Sequence, residues 1–188
     1  MVTAFNEGIG SHRPLILESA QDIMRNTFIR HDDSVDSTGA WPAANRALLV
    51  KVRNPRPFTP SHAYVFNGNA VAGNLDIGVY GFTARTQLEL LISTGATAQA
   101  GISEMQMIAL TAPVQLPAGD LVLALSLANT GGRTSKRNTL AALTYYERLI
   151  GLAQRESAHP LPASISSVTA PTSGINDPPI FGVMERLF

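Results

Sequence analysis

The sequence runs to 188 residues, enough for one domain with a real core, and sets 14 Lys and Arg against 14 Asp and Glu. A formal charge of zero removes the basic footprint of a nucleic-acid binder, and the absence of cysteine excludes disulfides, thiolate metal sites, iron–sulfur clusters and cysteine nucleophiles. Only 15% of residues are charged against 45% hydrophobic, so small polar residues must form much of the surface, and a chain near its pI of 6.9 tends to associate.

Residues 1–46 read as an N-terminal arm. Residues 1–10 lack the basic start and apolar stretch of a secretory signal, which predicts a chain that stays, at first, in the cytoplasm where it is made. Within residues 15–30, Leu15, Ile16, Ala20, Ile23, Met24 and Phe28 suit a helical stripe or an extended arm equally well. Residues 47–158 read as a β domain. Leu48, Val50 and Val52 alternate with Leu49, Lys51 and Arg53, residues 62–66 form the next apolar run, and Leu75, Ile77 and Val79 alternate with Asp76, Gly78 and Tyr80. Runs at 87–93 and 104–110 follow, and then Leu121, Leu123, Leu125 and Leu127 alternate with Val122, Ala124, Ser126 and Ala128. This is the period of strands that bury one face, at the spacing of antiparallel structure.

The connections carry turn chemistry: Asn67-Gly68-Asn69 and Gly73-Asn74 supply residues that tolerate positive φ, and Leu116-Pro117-Ala118-Gly119-Asp120 has Pro and Gly where a turn wants them. The expected fold class is therefore mainly β, an antiparallel, jelly-roll-like β-sandwich with the four leucines of 121–127 facing its core. Residues 138–155 are the best helix candidate, with Leu140, Leu143, Leu149, Ile150 and Leu152 on one broad face. Residues 159–188 carry Pro160, Pro162, Pro171, Pro178 and Pro179 and read as an extended C-terminal arm. No run approaches the roughly 18 apolar residues of a membrane span.

Motifs for chemistry are missing. His12, His31, His62 and His159 stand apart and form neither HxH nor HExxH spacing. Asp32, Asp33 and Asp36 offer oxygen ligands to a hard cation but lack the EF-hand spacing and its closing Glu. There is no G-x-S-x-G elbow, Glu89 and Glu104 form a glycosidase pair only if the fold brings them together, and Gly68, Gly73 and Gly78 make no phosphate-binding loop. The expectation is no catalytic residue, no cofactor and no metal. Arg133, Lys136 and Arg137 form a short basic loop open to an acidic partner. Trp41, Tyr64, Phe66, Tyr80, Tyr145 and Tyr146 either pack between sheets or offer rings to a sugar.

Taken in order, Trp41-Pro42 with Asn45-Arg46-Ala47-Leu48, Phe66-Asn67-Gly68, Gly73-Asn74-Leu75-Asp76-Ile77-Gly78-Val79-Tyr80, the run from Leu91 to Gly101, the strand around Gln106, Leu116-Pro117-Ala118-Gly119, the leucine strand, Gly151 with His159-Pro160-Leu161-Pro162, and Pro179-Ile180-Phe181-Gly182 form a recognisable succession. It resembles a β-sandwich domain of tailed-bacteriophage virion proteins, departing from it at Gly81-Phe82-Thr83-Ala84-Arg85-Thr86. The resemblance implies a non-enzymatic structural protein of the virion, made in the host cytoplasm and placed in the tail-fibre or attachment apparatus. A capsid decoration protein and a stand-alone carbohydrate-binding module are the alternatives. Its partners would be copies of itself, with a trimer favoured, other virion proteins and a host-surface glycan. The large apolar residues of the two arms, Leu15, Ile16, Ile23, Phe28, Ile180, Phe181 and Phe188, are the expected assembly contacts, since each one fully buried contributes about 1.5–3 kcal/mol.

Overall fold

A computed structural model describes residues 24–26, 35–84, 87–137, 152–169 and 179–185, and every regular element within them is a β-strand. In chain order these are β1 (Met24–Asn26), β2 (Val35–Ala40), β3 (Arg46–Asn54), β4 (His62–Phe66), β5 (Asn74–Ala84), β6 (Gln87–Ser93) and β7 (Thr97–Ala98). There follow β8 (Met105–Ala109), β9 (Gly119–Leu127), β10 (Arg133–Arg137), β11 (Leu152–Arg155), β12 (Ser164–Ile165) and β13 (Phe181–Met184). The larger sheet has the order β11-β3-β9-β5-β6-β12, with β7 added to β5; the smaller has the order β1-β13-β4-β8; β2 and β10 make a separate two-stranded ladder. Every pairing is antiparallel.

The alternation read from the sequence sets the inner face. Leu121, Leu123, Leu125 and Leu127 of β9 lie buried beside Leu48 and Val50 of β3 and Leu75, Ile77 and Val79 of β5. Opposite them the smaller sheet contributes Ala63 and Val65 of β4, Ile108 of β8, and Phe181 and Val183 of β13. The mainly-β sandwich reading holds, and β9, paired with β3 on one side and β5 on the other, is its centre.

The outer face of the larger sheet is the surprise. Residues 156–163 leave β11 at one edge of that sheet, cross its outer face, and reach the other edge, where β12 pairs with β6 at Ser164↔Glu89 and Ile165↔Leu88. Ala158 and Leu161 of this strap, with Ile165 of β12, pack on Ala47, Leu49, Tyr80, Leu88, Val122 and Ala124 and form a second core. The small residues of β9 that alternate with its leucines thus lie beneath a close cover. At Gly78 a Cβ would stand 2.8 Å from Leu161 Cδ1 and 2.9 Å from the Ile92 carbonyl oxygen, so the strap's approach requires glycine there.

Three expectations change. Residues 152–155, the end of the helix candidate at 138–155, form strand β11 on β3 because Leu152 to Arg155 continue the ladder of Ala47 to Val50; residues 138–151 lie outside the described residues. The boundaries at 46 and 158 do not separate arms from sandwich. Trp41 is a core residue, β1 and β2 are paired strands, and within 159–188 the residues Leu161, Ile165, Phe181 and Val183 are buried in this chain's own two cores. The described strands of the C-terminal segment, β12 and β13, pair with the chain's own β6 and β4. Gly73 has the expected positive φ, at 68°, and Gly119 also takes one, at 122°, whereas Asn67 has another role, described below.

Candidate functional site

A buried polar cluster lies where the strap crosses the larger sheet. β5 places Leu75, Ile77 and Val79 inward, so Asp76 points to the outer face, directly across from Ser126 on β9. Both residues are buried. Asp76 Oδ2 accepts the Leu161 N–H at 3.0 Å. Its Oδ1 lies 3.2 Å from the Thr94 hydroxyl, which also sits 2.9 Å from the Gly95 carbonyl oxygen and accepts the Ile77 N–H at 3.0 Å. Ser126 Oγ and His159 Nδ1 are 3.0 Å apart, and the Tyr80 hydroxyl donates to the Pro162 carbonyl at 2.7 Å. Strap residues 159, 161 and 162 are therefore each fastened to the sheet by a polar contact.

Burial sets the electrostatics. It pushes the Asp76 carboxyl above the ordinary carboxylate range, a rise opposed by the hydrogen bonds from Leu161 and Thr94 and by His159. It holds His159 below its usual value, opposed by Asp76 and Ser126, and it raises the Tyr80 phenol, with the Asp76 charge adding to the rise. A desolvated carboxylate is retained because it accepts donors that would otherwise be orphaned beneath the strap.

Ser126, His159 and Asp76 together have the residue types of a hydrolytic triad but a different geometry. The Asp76 oxygens are engaged by Leu161 and Thr94, so the carboxylate does not orient the imidazole as a triad's third member does. Ser126 is fully buried beneath the strap. What the arrangement does chemically is tie a main-chain segment to a sheet.

A second polar hub closes one end of the sandwich. Asn67 is buried; its Nδ2 donates to the Ala100 carbonyl and to Gln106 Oε1, and its Oδ1 accepts from Gln99 Nε2 at 2.9 Å. Gln99 Nε2 also reaches the Arg133 carbonyl at 2.8 Å, and the Ser135 hydroxyl donates to the Asn67 carbonyl at 2.9 Å. The motif Asn67-Gly68-Asn69 thus works through the Asn67 amide, which joins three chain segments, and not through positive φ.

The other residues singled out in the sequence are dispersed. Trp41, Tyr64 and Tyr80 are buried, so they are packing residues; Tyr64 meets Phe66 edge to face at 6.2 Å. Trp41 donates its indole N–H to the Arg46 carbonyl at 2.9 Å. Tyr145 and Tyr146 lie outside the described residues. Arg133, Lys136 and Arg137 belong to strand β10, paired with β2, rather than to a loop. Glu89 is on β6 of the larger sheet and Glu104 immediately precedes β8 of the smaller one. His62 Nδ1 meets its neighbour Ser61 Oγ at 2.8 Å; His12 and His31 lie outside the described residues.

Asp36 falls in β2, while Asp32 and Asp33 are outside the described residues, and among those described no three His, Asp or Glu side chains gather as a metal site. Among the expected assembly contacts, Ile180 and Phe181 are buried within this chain, a correction with a simple cause: Phe181 opens β13, whose ladder with β4 turns it into the core. Leu15, Ile16, Ile23, Phe28 and Phe188 lie outside the described residues. No described helix is long and apolar enough to cross a membrane. No protein-family model and no curated protein matches the chain.

Proposed function

We propose that the protein is a non-enzymatic structural component of a tailed-phage virion, acting in the tail or attachment apparatus. The observation that carries this reading is the work done by the residues of the motif succession. Trp41, Asn67, Asp76, Gly78, His159 and Leu161 are far apart in sequence, yet each holds the sandwich or its strap together through a packed or hydrogen-bonded contact. A motif set devoted to fastening is what a scaffold needs, and its buried polar atoms are turned to main chain and to one another. The burial of Trp41, Tyr64 and Tyr80 also takes from the carbohydrate-binding alternative three of the six rings on which it rested.

The test is location. Antibodies against the purified protein should label tailed particles at the tail, and mass spectrometry of gradient-purified particles should recover the chain. Particles free of the protein, from lysates that contain it in soluble form, overturn the reading; labelling confined to the head surface replaces the tail by capsid decoration.

A further inference from the structure

The two sheets treat their edges differently. In the larger sheet the segment that follows the strap adds to both: Gln154 of β11 exchanges hydrogen bonds with Thr169 at 2.9 and 3.0 Å, and β12 lies along the start of β6. In the smaller sheet β8 pairs with β4 on one side, and no described strand pairs with it on the other. Hydrogen bonds from the Leu110 N–H to the Ser61 carbonyl and from the Asn67 N–H to the Glu104 carbonyl fix the phase of the β4–β8 ladder. Residues 104, 106, 108 and 110 face β4, so the N–H and C=O groups of Met105, Met107 and Ala109 point to the open side. Their side chains are exposed as well, Met105 by 45% and Met107 by 40%, and Ile102 just before them by 59%.

Natural sheets blunt such an edge with Lys, Pro, a bulge or a cover. Met105-Gln106-Met107-Ile108-Ala109 holds no Lys or Pro, the β4–β8 register runs without a shift, and no described strand lies on the open side. We propose that β8 pairs antiparallel with β8 of a second copy about a two-fold axis at Met107, continuing the smaller sheet across two chains. The strand is complementary to itself. With Met107 opposite Met107, Met105 meets Ala109 and Glu104 meets Leu110, so no two charges of like sign stand opposite each other. The outward N–H and C=O groups of all three exposed residues find partners, and the methionines pack across the junction. A chain of zero formal charge adds no long-range repulsion between copies. Pairing one edge with itself gives a two-fold contact, in place of the three-fold one expected from the resemblance. The inference rests on the assembly reading above and names where two copies meet.

Two variants test it. Met107→Pro removes only an N–H that faces the open side, and Met107→Lys places a charge beside its own copy across the axis. In sedimentation velocity and light scattering the wild-type chain should move, with rising concentration, toward twice its 20.0 kDa mass, while both variants stay at the single-chain mass with unchanged far-UV circular dichroism. An association constant about tenfold lower or less in the variants is the expected size. Should Met107→Pro unfold, Met107→Lys alone decides. A wild-type chain that stays monomeric at submillimolar concentration, or association unaltered in Met107→Lys, overturns the proposal. Monomeric chains that are still recovered in purified particles overturn the β8 pairing and leave the virion reading standing; self-pairing chains absent from every particle do the reverse.

Discussion

The Asp76 carboxylate accepts the Leu161 amide at 3.0 Å, joining the outer face of β5 to a strap that arrives 85 positions later in the chain. The carboxylate is desolvated beneath that strap, its acidity weakened by burial, and it is the acceptor for the Leu161 N–H at the point where the second core closes. Asp76→Ala should therefore cost about 1–3 kcal/mol for the donors it orphans. Asp76→Asn, which keeps one acceptor oxygen and sheds the buried charge, should cost less. Urea titrations followed by the emission of Trp41, the one tryptophan in the chain, give both values, and a smaller loss for Ala than for Asn would contradict the latch.

A second consequence is a pH response centred on His159. Its folded-state pKa lies below the ordinary 6.5, so the unfolded chain takes up the proton more readily. The stability this group contributes is complete above 6.5 and is lost as pH falls through the depressed value. Asp76 acts with the other sign. Its pKa is raised from 3.8, so its contribution is complete below 3.8 and is lost as pH rises through the raised value. In His159→Gln the decline in melting temperature between about pH 7 and pH 5 should flatten while the Asp76 slope persists. An unchanged profile would mean that His159 does not titrate with folding.

Gly78 makes the strap's fit measurable by volume alone. A Cβ there would meet both Leu161 Cδ1 and the Ile92 carbonyl oxygen within 3 Å, and the second of these is main chain of a paired strand, which cannot swing aside. Gly78→Ala should lose about 1–3 kcal/mol from overpacking, and residues 156–163 should become cleavable by a protease before global unfolding. The double variant Gly78→Ala, Leu161→Ala should lose less than the sum of the two single losses, because the clash with Leu161 Cδ1 is counted in only one of them.

The sandwich was legible in the sequence because its inner faces obey period two: Leu48 and Val50, Leu75 to Val79, and the four leucines of β9 all lie where alternation puts them. The polar latch was not. Asp76 and Ser126 occupy positions that alternation assigns to a wet face, and they are buried only because residues 156–163 return over that face. Such a return is set by tertiary packing and leaves no periodic trace. The one signal available was Gly78 between Asp76 and Tyr80, a strand glycine of the kind that marks close approach by another segment. The strands β11 and β13 were missed because their partners, β3 and β4, lie about a hundred residues or more away in sequence, beyond anything local propensity registers.

The final prediction separates a C-terminal arm that serves a neighbour from one that completes its own domain. Phe181 and Val183 are fully buried in the inter-sheet core, and β13 bridges β1 and β4 in the smaller sheet. The Ile180 carbonyl accepts the Phe66 N–H at 3.0 Å, and the Ile180 N–H donates to the Ser135 carbonyl at 3.1 Å, so the segment is also tied to β10. Phe181→Ala should cost about 3–5 kcal/mol, the usual loss for a buried phenylalanine. Removal of residues 179–188 should do more, stripping β4 of a partner strand and opening the core to water. Calorimetry on the truncated chain should show a large fall in melting temperature or no cooperative transition. A truncated chain with the melting temperature of the full one would mean that β13 belongs to assembly rather than to folding.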